Sequence, residues 1–385
     1  MVGRTLSVPA RALTRTSLSF ALATALSVVL ATQALAATWT APIPLTSSGD
    51  VFRGDLVGLG SSTVVAVYAE TPFESERVYV RRSVNSGASW GPATLLSGRG
   101  LFPAIAGRGM NVDVIWNASN GRVRYARSTD GGASFAPSVA LSPAGRFAWR
   151  PAVARGPGGR VAVVWEDVQN GRINVRVSKN GGASFAPAKV IATAGEESGV
   201  DVAIGKGVIY VAYVVGSGGL RVKSSLDSGG SWSGAARITN RFLSDRVSLT
   251  AAGSHAYISF TVPNSGFNFS KIRYRRTTDR GANWSRPRDL SPANWTTYDG
   301  DIALQGGVLR ATFVRCTTEF DICVNNRVFY RQSSDGRNWT TPQRVSPRSV
   351  FDAWEPRVGF AGKILVLYTG DTDAGANLYV RRGSP

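Results

Sequence analysis

The chain has 385 residues, and 44 lysines and arginines against 25 aspartates and glutamates give a formal charge of +19. Only six of the basic residues are lysine, so the excess is arginine, which binds carboxylate, sulfate and phosphate bidentately and makes an acidic polymer a natural partner; a GC-rich genome would enrich arginine and the 43 glycines in the same way. No nucleic-acid motif accompanies the charge, and with one histidine and two cysteines the sequence points to no metal and no cofactor.

Residues 1–36 read as an export signal. Arg4, Arg11 and Arg15 precede an apolar run from Leu18 to Thr32, and Ala34-Leu35-Ala36 is a small-x-small cleavage site. The run is shorter than the roughly 20 apolar residues a membrane span needs, and no later stretch approaches that length. The mature chain, residues 37–385, is expected to be a secreted (extracellular or periplasmic) monomer of one domain, with no membrane insertion after cleavage.

An octapeptide then recurs. Ser83-Val84-Asn85-Ser86-Gly87-Ala88-Ser89-Trp90 returns as STDGGASF from Ser128, SKNGGASF from Ser178, SLDSGGSW from Ser225 and TTDRGANW from Thr277, with a shorter SSDGRNW from Ser333. Spacings of 45, 50, 47, 52 and 56 residues mark one supersecondary unit repeated. Within the second unit, Phe102–Ala106, Val112–Trp116, Arg122–Arg127 and Phe135–Leu141 are short apolar or alternating runs separated by turn residues, with no helical period.

Four strands per unit predict propeller blades. First strands begin near Arg53, Phe102, Arg150, Gly199, Arg246, Asp299 and Glu355, which makes seven blades for six copies of the motif. The last unit stops at Leu378–Arg382 without a fourth strand, while Trp39–Thr46 matches the closing strands Trp90–Ser97 and Phe135–Ser142. The predicted fold is all-β: a seven-bladed β-propeller of four-stranded antiparallel blades. Its N-terminal strand completes the last blade, which removes exposed sheet edges.

A second periodicity runs along the third strands. Arg81 and Arg77, Arg124 and Arg122, Arg176 and Arg172, Lys223 and Arg221, Arg275 and Arg273, and Arg331 and Arg327 alternate ahead of the six motifs, so each set shares one face. Their stems are expected to pack on the motif aromatics and along neighbouring blades, with the charged heads in water. A repeated anion-binding groove is the alternative. Cys316 and Cys323 are expected to form a disulfide, and His255, at a predicted turn, reads as structural.

The motif Ser-x-Asp-x-Gly-x-Ser/Thr-Trp resembles the Asp-box (BNR repeat) of bacterial and animal sialidases and other secreted propellers, and the resemblance covers nearly the whole mature chain. Its Asp or Asn is expected to accept backbone amides in a tight hairpin, with Gly left-handed and the aromatic ring under the turn. Two copies carry Asn (Asn85 and Asn180), so the motif reads as a fold determinant and not as a calcium or catalytic site.

A ligand site is expected where the starts of the first strands meet the loops between second and third strands, because seven loops converge there around the channel. The starts supply Arg53, Trp149, Arg150, Arg246, Tyr298, Asp299, Trp354 and Glu355, and the loops supply Glu70, Glu166, Asp167, Arg315 and Asp371. Arginine clamps carboxylates and aromatic faces stack on pyranose rings, so this composition suits an acidic sugar.

In the sialidases that the chain resembles, three arginines hold the substrate carboxylate, a Glu-activated Tyr is the nucleophile and an Asp is the acid/base. The resemblance implies Arg53, in Phe52-Arg53-Gly54-Asp55 where the family has Arg-Ile-Pro, as the first clamp. Arg246 and Arg315 would be the others, and Tyr298 the nucleophile. Arg53, Tyr298, Asp299 and Glu355 are thus the catalytic candidates, and Glu70, Trp149, Arg150, Arg246, Arg315 and Trp354 the substrate-binding ones.

Ala69-Glu70-Thr71-Pro72 keeps the glutamate of the family's Ala-Glu-Gly-Arg without its arginine, and the catalytic sialidases are six-bladed. The favoured reading is a secreted glycan-binding propeller. An exo-α-sialidase or other glycoside hydrolase is the alternative, and a protein-binding scaffold ring the second.

Overall fold

A computed structural model describes residues 37–71, 76–193, 199–216, 219–241, 246–263, 270–319, 322–373 and 375–384, and the segment read as an export signal lies outside them. The chain forms seven antiparallel sheets, each running outward from first strand to fourth. Blade I comprises Val51–Leu59, Thr63–Glu70, Arg77–Ser83 and Thr94–Ser97; blades II to VI span 100–140, 148–193, 200–239, 247–289 and 296–344. Blade VII takes Asp352–Phe360, Ile364–Thr372 and Gly375–Ser384, then borrows its edge from Thr38–Trp39 and Ile43–Pro44.

That borrowed edge closes the ring as predicted. Trp39 stands opposite Gly383 and Ile43 opposite Val380, while Thr46 Oγ1 accepts the Leu378 amide at 2.9 Å. Every blade has neighbours on both faces, so its inner strands are apolar at successive positions and not at alternate ones; Val64 to Ala69 are all buried. The core is consequently divided into seven apolar layers, one per interface. Between blades I and II, for example, Val65, Val67, Val78 and Val80 pack on Ile105, Val112, Val114 and Trp116.

The recurring octapeptide turns from third to fourth strand, and its hydrogen bonds explain its spelling. Ser128 Oγ donates to Asp130 Oδ1 and accepts the Gly132 amide at 2.9 Å, and Asp130 Oδ1 accepts the Ser134 amide at 3.0 Å. Asn180 Oδ1 caps Ser184 in the same way at 3.0 Å, because the turn needs a carbonyl-type oxygen and not a charge. Gly132 has φ 80°, and a Cβ there would lie 2.7 Å from Val65 Cγ2 of the preceding blade, so conformation and space both demand glycine.

The third-strand cations are staples between blades. Arg81 Nη1 donates to Leu45 O (2.6 Å), Arg176 to Leu141 O (3.1 Å), Lys223 to Ile191 O (2.8 Å), Arg275 to Ile238 O (2.9 Å) and Arg331 to Leu290 O (2.6 Å); Arg381 reaches Val345 O. Each acceptor is a carbonyl in the fourth strand of the preceding blade or in the residue directly after it. The Nε atoms of Arg81, Arg176, Arg275 and Arg331 also hold carbonyls of their own blade's closing segment. For these cations the expectation of wet heads is corrected, since they satisfy main-chain acceptors at blade edges that solvent would otherwise have to reach, whereas Arg77 and Arg172, at the starts of their strands, are exposed as expected. Burial lowers the Arg331 pKa to about 10.

Candidate functional site

The face expected to carry a ligand is assembled by local contacts. Turns between first and second strands bond to the octapeptide turns on one side (Gly131 N to Met110 O, Gly181 N to Gly159 O). On the other side, loops between second and third strands meet the first-strand starts (Thr71 N to Asp50 O, Val168 N to Phe147 O, Phe351 N to Asp371 O).

At this second face the first strands of blades I, II, III, VI and VII each break register with the second strand. One residue per blade is thrown into the left-handed region there: Arg53 (φ 60°), Phe102 (51°), Arg150 (43°), Asp299 (50°) and Glu355 (52°). Such bulges re-aim a side chain at a modest local cost, and non-glycine residues held at positive φ cluster at functional sites. Here Arg53, Phe102 and Arg150, with Arg246 of the unbulged blade V, line a cavity of about 260 Å³ at the channel mouth. Glu355 Oε1 lies 3.2 Å from Arg53 Nε and 3.6 Å from Arg246 Nη2, tying blades I, V and VII together.

Two residues further along, a second layer lines the same cavity with Asp55, Asp201, Ser248, Asp301 and Arg357. Its acids bond across blade boundaries. Asp55 accepts the amides of Leu56 (2.8 Å) and Ile105 (3.1 Å), Asp201 those of Val202 (2.8 Å) and Leu249 (2.6 Å), and Asp301 that of Val358 (2.9 Å) together with the Ser248 hydroxyl (2.8 Å). Arg357 Nε faces Asp55 at 3.5 Å. Burial pushes the Asp201 carboxyl up to about 7, with the Asp301 charge adding to it, and burial also raises Asp55 against the pull of Arg357.

The other candidates are placed around this mouth. Trp149 packs edge-on against Phe102 (4.4 Å between centroids) and on Phe147 (5.6 Å), and the Arg53 and Arg150 guanidiniums lie over Phe102 at 4.8 and 5.6 Å. Tyr298 and Trp354 pack into the apolar layer between blades VI and VII. The Tyr298 hydroxyl donates to Asn326 Oδ1 at 2.7 Å, and burial raises its pKa, with Asp299 and Asp352 adding to the shift. Arg315 is exposed and stacks over Trp295 at 4.3 Å, away from the cavity lining. Glu70 ends the second strand of blade I opposite Val51 and Arg77, with its carboxyl raised by burial. Cys316 and Cys323 form a disulfide across the long hairpin of blade VI, as expected.

Phe102 was read from the sequence only as a strand start, and Asp55, Asp201, Asp301 and Arg357 are lining residues that sequence reasoning passed over. Their signal was strand alternation, counted two residues on from each first-strand start.

No protein-family model and no curated protein sequence matches the chain. Solved structures do. An ulvan lyase of a polysaccharide lyase family superposes with a TM-score of 0.52 at 12% identity, over 72% of this chain and 79% of that one. The Trypanosoma rangeli sialidase gives 0.52 at 13% identity over 91% and 60%, and the SapL1 lectin in complex with α-methyl fucoside gives 0.50 at 15% over 78% and 99%. At such identities the likeness is one of fold: the chain is a seven-bladed β-propeller, an architecture it shares in outline with sialidases, lectins and a lyase.

Proposed function

We propose that this protein is an exported propeller of the Asp-box, sialidase-like type that binds an acidic sugar at the channel mouth. The observation that carries the reading is the convergence of Arg53, Arg150 and Arg246 from three blades, beside the Phe102–Trp149 aromatic pair, on one cavity of about 260 Å³. Guanidiniums pair with the carboxylate while a ring face packs on the sugar, and the ligand carboxylate takes the place that Glu355 holds between Arg53 and Arg246. The volume falls just below the usual range of small-molecule pockets, about 300–1,000 Å³, so it suits no more than one sugar unit.

Binding is favoured over hydrolysis by Tyr298. A tyrosine nucleophile has to be exposed to substrate and activated toward the phenolate; this one donates to Asn326, and burial holds its proton on. The test is a panel of acidic and neutral glycans offered to the full chain and to Arg150→Ala. Retention of acidic glycans is expected, weakened about ten- to a hundredfold by the substitution. A folded protein that retains no acidic glycan overturns the reading. A fluorogenic sialoside in the same experiment addresses the glycosidase alternative: turnover abolished in Tyr298→Phe would establish that alternative instead.

A further inference from the structure

We propose that the ligand is a linear acidic oligosaccharide and that a second sugar unit sits in a separate cavity on blade III. The inference rests on the reading that the channel mouth takes an acidic sugar. The cavity, about 180 Å³, lies between the segment leading into blade III and that blade's second and third strands, with Phe147, Trp165, Asp167, Arg172, Asn174 and Arg146 around it.

Its construction is that of a binding site. Trp165 is almost wholly buried beneath it, and Phe147 leaves 43% of its surface in solvent although it stands among aromatic neighbours. Arg146 is pinned by Asp167 at 2.9 Å, and Asp167, itself buried, is held in turn by Asn170 Nδ2 at 3.1 Å, so the cation is positioned before any ligand arrives. Arg172 adds a second, exposed guanidinium, leaving two cations at the rim against one carboxylate.

An aromatic track joins this cavity to the channel mouth. Phe147 packs on Trp149 at 5.6 Å, Trp149 on Phe102 at 4.4 Å, and Phe102 lines the mouth beneath Arg53 and Arg150. Each cavity is too small for an oligosaccharide; between them Phe147 is exposed and Trp149 half-buried, while Phe102 is buried under the arginines at the channel end. That alternation of apolar face and cation matches a chain of acidic pyranoses, whose rings stack while their carboxylates pair.

The full chain is titrated calorimetrically with galacturonic, mannuronic and N-acetylneuraminic acids and with their homo-oligomers of two and four units. For the sugar that binds, affinity is expected to rise about tenfold from monomer to oligomer. Arg172→Ala, and separately Phe147→Ala, should remove that gain and leave monomer affinity unchanged, whereas Arg150→Ala weakens both. Equal affinity for monomer and oligomers overturns the inference while leaving the channel-mouth site standing, as does a loss in Arg172→Ala that is the same at every length. Failure of every acid at every length overturns the channel-mouth reading and this inference with it.

Discussion

Asp113 offers the sharpest test of how the blades are held. It lies in the second strand of blade II with no exposed surface, and its carboxylate accepts Tyr125 Oη at 2.6 Å, Arg155 Nε at 2.5 Å and Arg155 Nη2 at 2.8 Å. Arg155 belongs to the first strand of blade III, its side chain is 4% exposed, and Nη2 also donates to Gly181 O at 3.0 Å in that blade's octapeptide turn. One ion pair therefore joins two blades and a turn. Asp113→Asn keeps the shape but turns an amide toward a guanidinium that can only donate, and it leaves that guanidinium buried without its counter-charge. Breaking a buried pair from one side costs about 3–5 kcal/mol, a large part of the roughly 5–15 kcal/mol that stabilises a folded domain. Urea unfolding followed by tryptophan fluorescence should show a lower midpoint with an unchanged slope. Replacing both partners, Asp113→Leu with Arg155→Met, should recover most of the loss, since apolar residues of similar volume do not need each other's charge. A cost below about 1 kcal/mol for Asp113→Asn, or a double variant as unstable as the two single losses added, would refute the reasoning.

Two further outcomes follow from the staples and the channel acids. Arg331→Met removes bonds to the carbonyls of Leu290, Thr340 and Trp339 at 2.6, 2.9 and 3.3 Å, and should cost roughly 2–4 kcal/mol in the same unfolding assay without changing glycan affinity; a loss of glycan affinity at unchanged stability would make the third-strand face an anion site after all. Asp201, with its carboxyl raised to about 7, keeps in the folded state a proton that the unfolded chain releases near pH 4. Its contribution should therefore lower stability as pH rises from about 4 to about 7 and level off above, and Asp201→Asn should flatten that part of the profile. A slope that survives the substitution would assign the titration to another group.

The residues themselves show where reading the sequence worked and where it stopped. The starts named from the repeat, Arg53, Phe102, Arg150, Arg246 and Glu355, are at the channel mouth, because a blade repeat places equivalent positions at equivalent heights around one axis. Tyr298 and Trp354 immediately precede bulged positions and turn into the blade interface. A bulge adds one residue to one strand, so it decides which of two adjacent side chains faces the axis, and composition carries no mark of that choice. Arg315 depends on the hairpin of blade VI, whose long strands carry it onto Trp295. The third-strand arginines were visible as a pattern, but their acceptors are carbonyls roughly 32 to 41 residues away in sequence, on a neighbouring blade.

Blade number, strand order and ring closure were thus settled by the sequence alone, since turn chemistry and alternation are local and a repeat states them many times over. Which cations meet which acids was decided only by tertiary structure. Asp55, Asp201, Asp301 and Arg357 come from four separate blades, and their proximity exists only once the ring has closed around its channel.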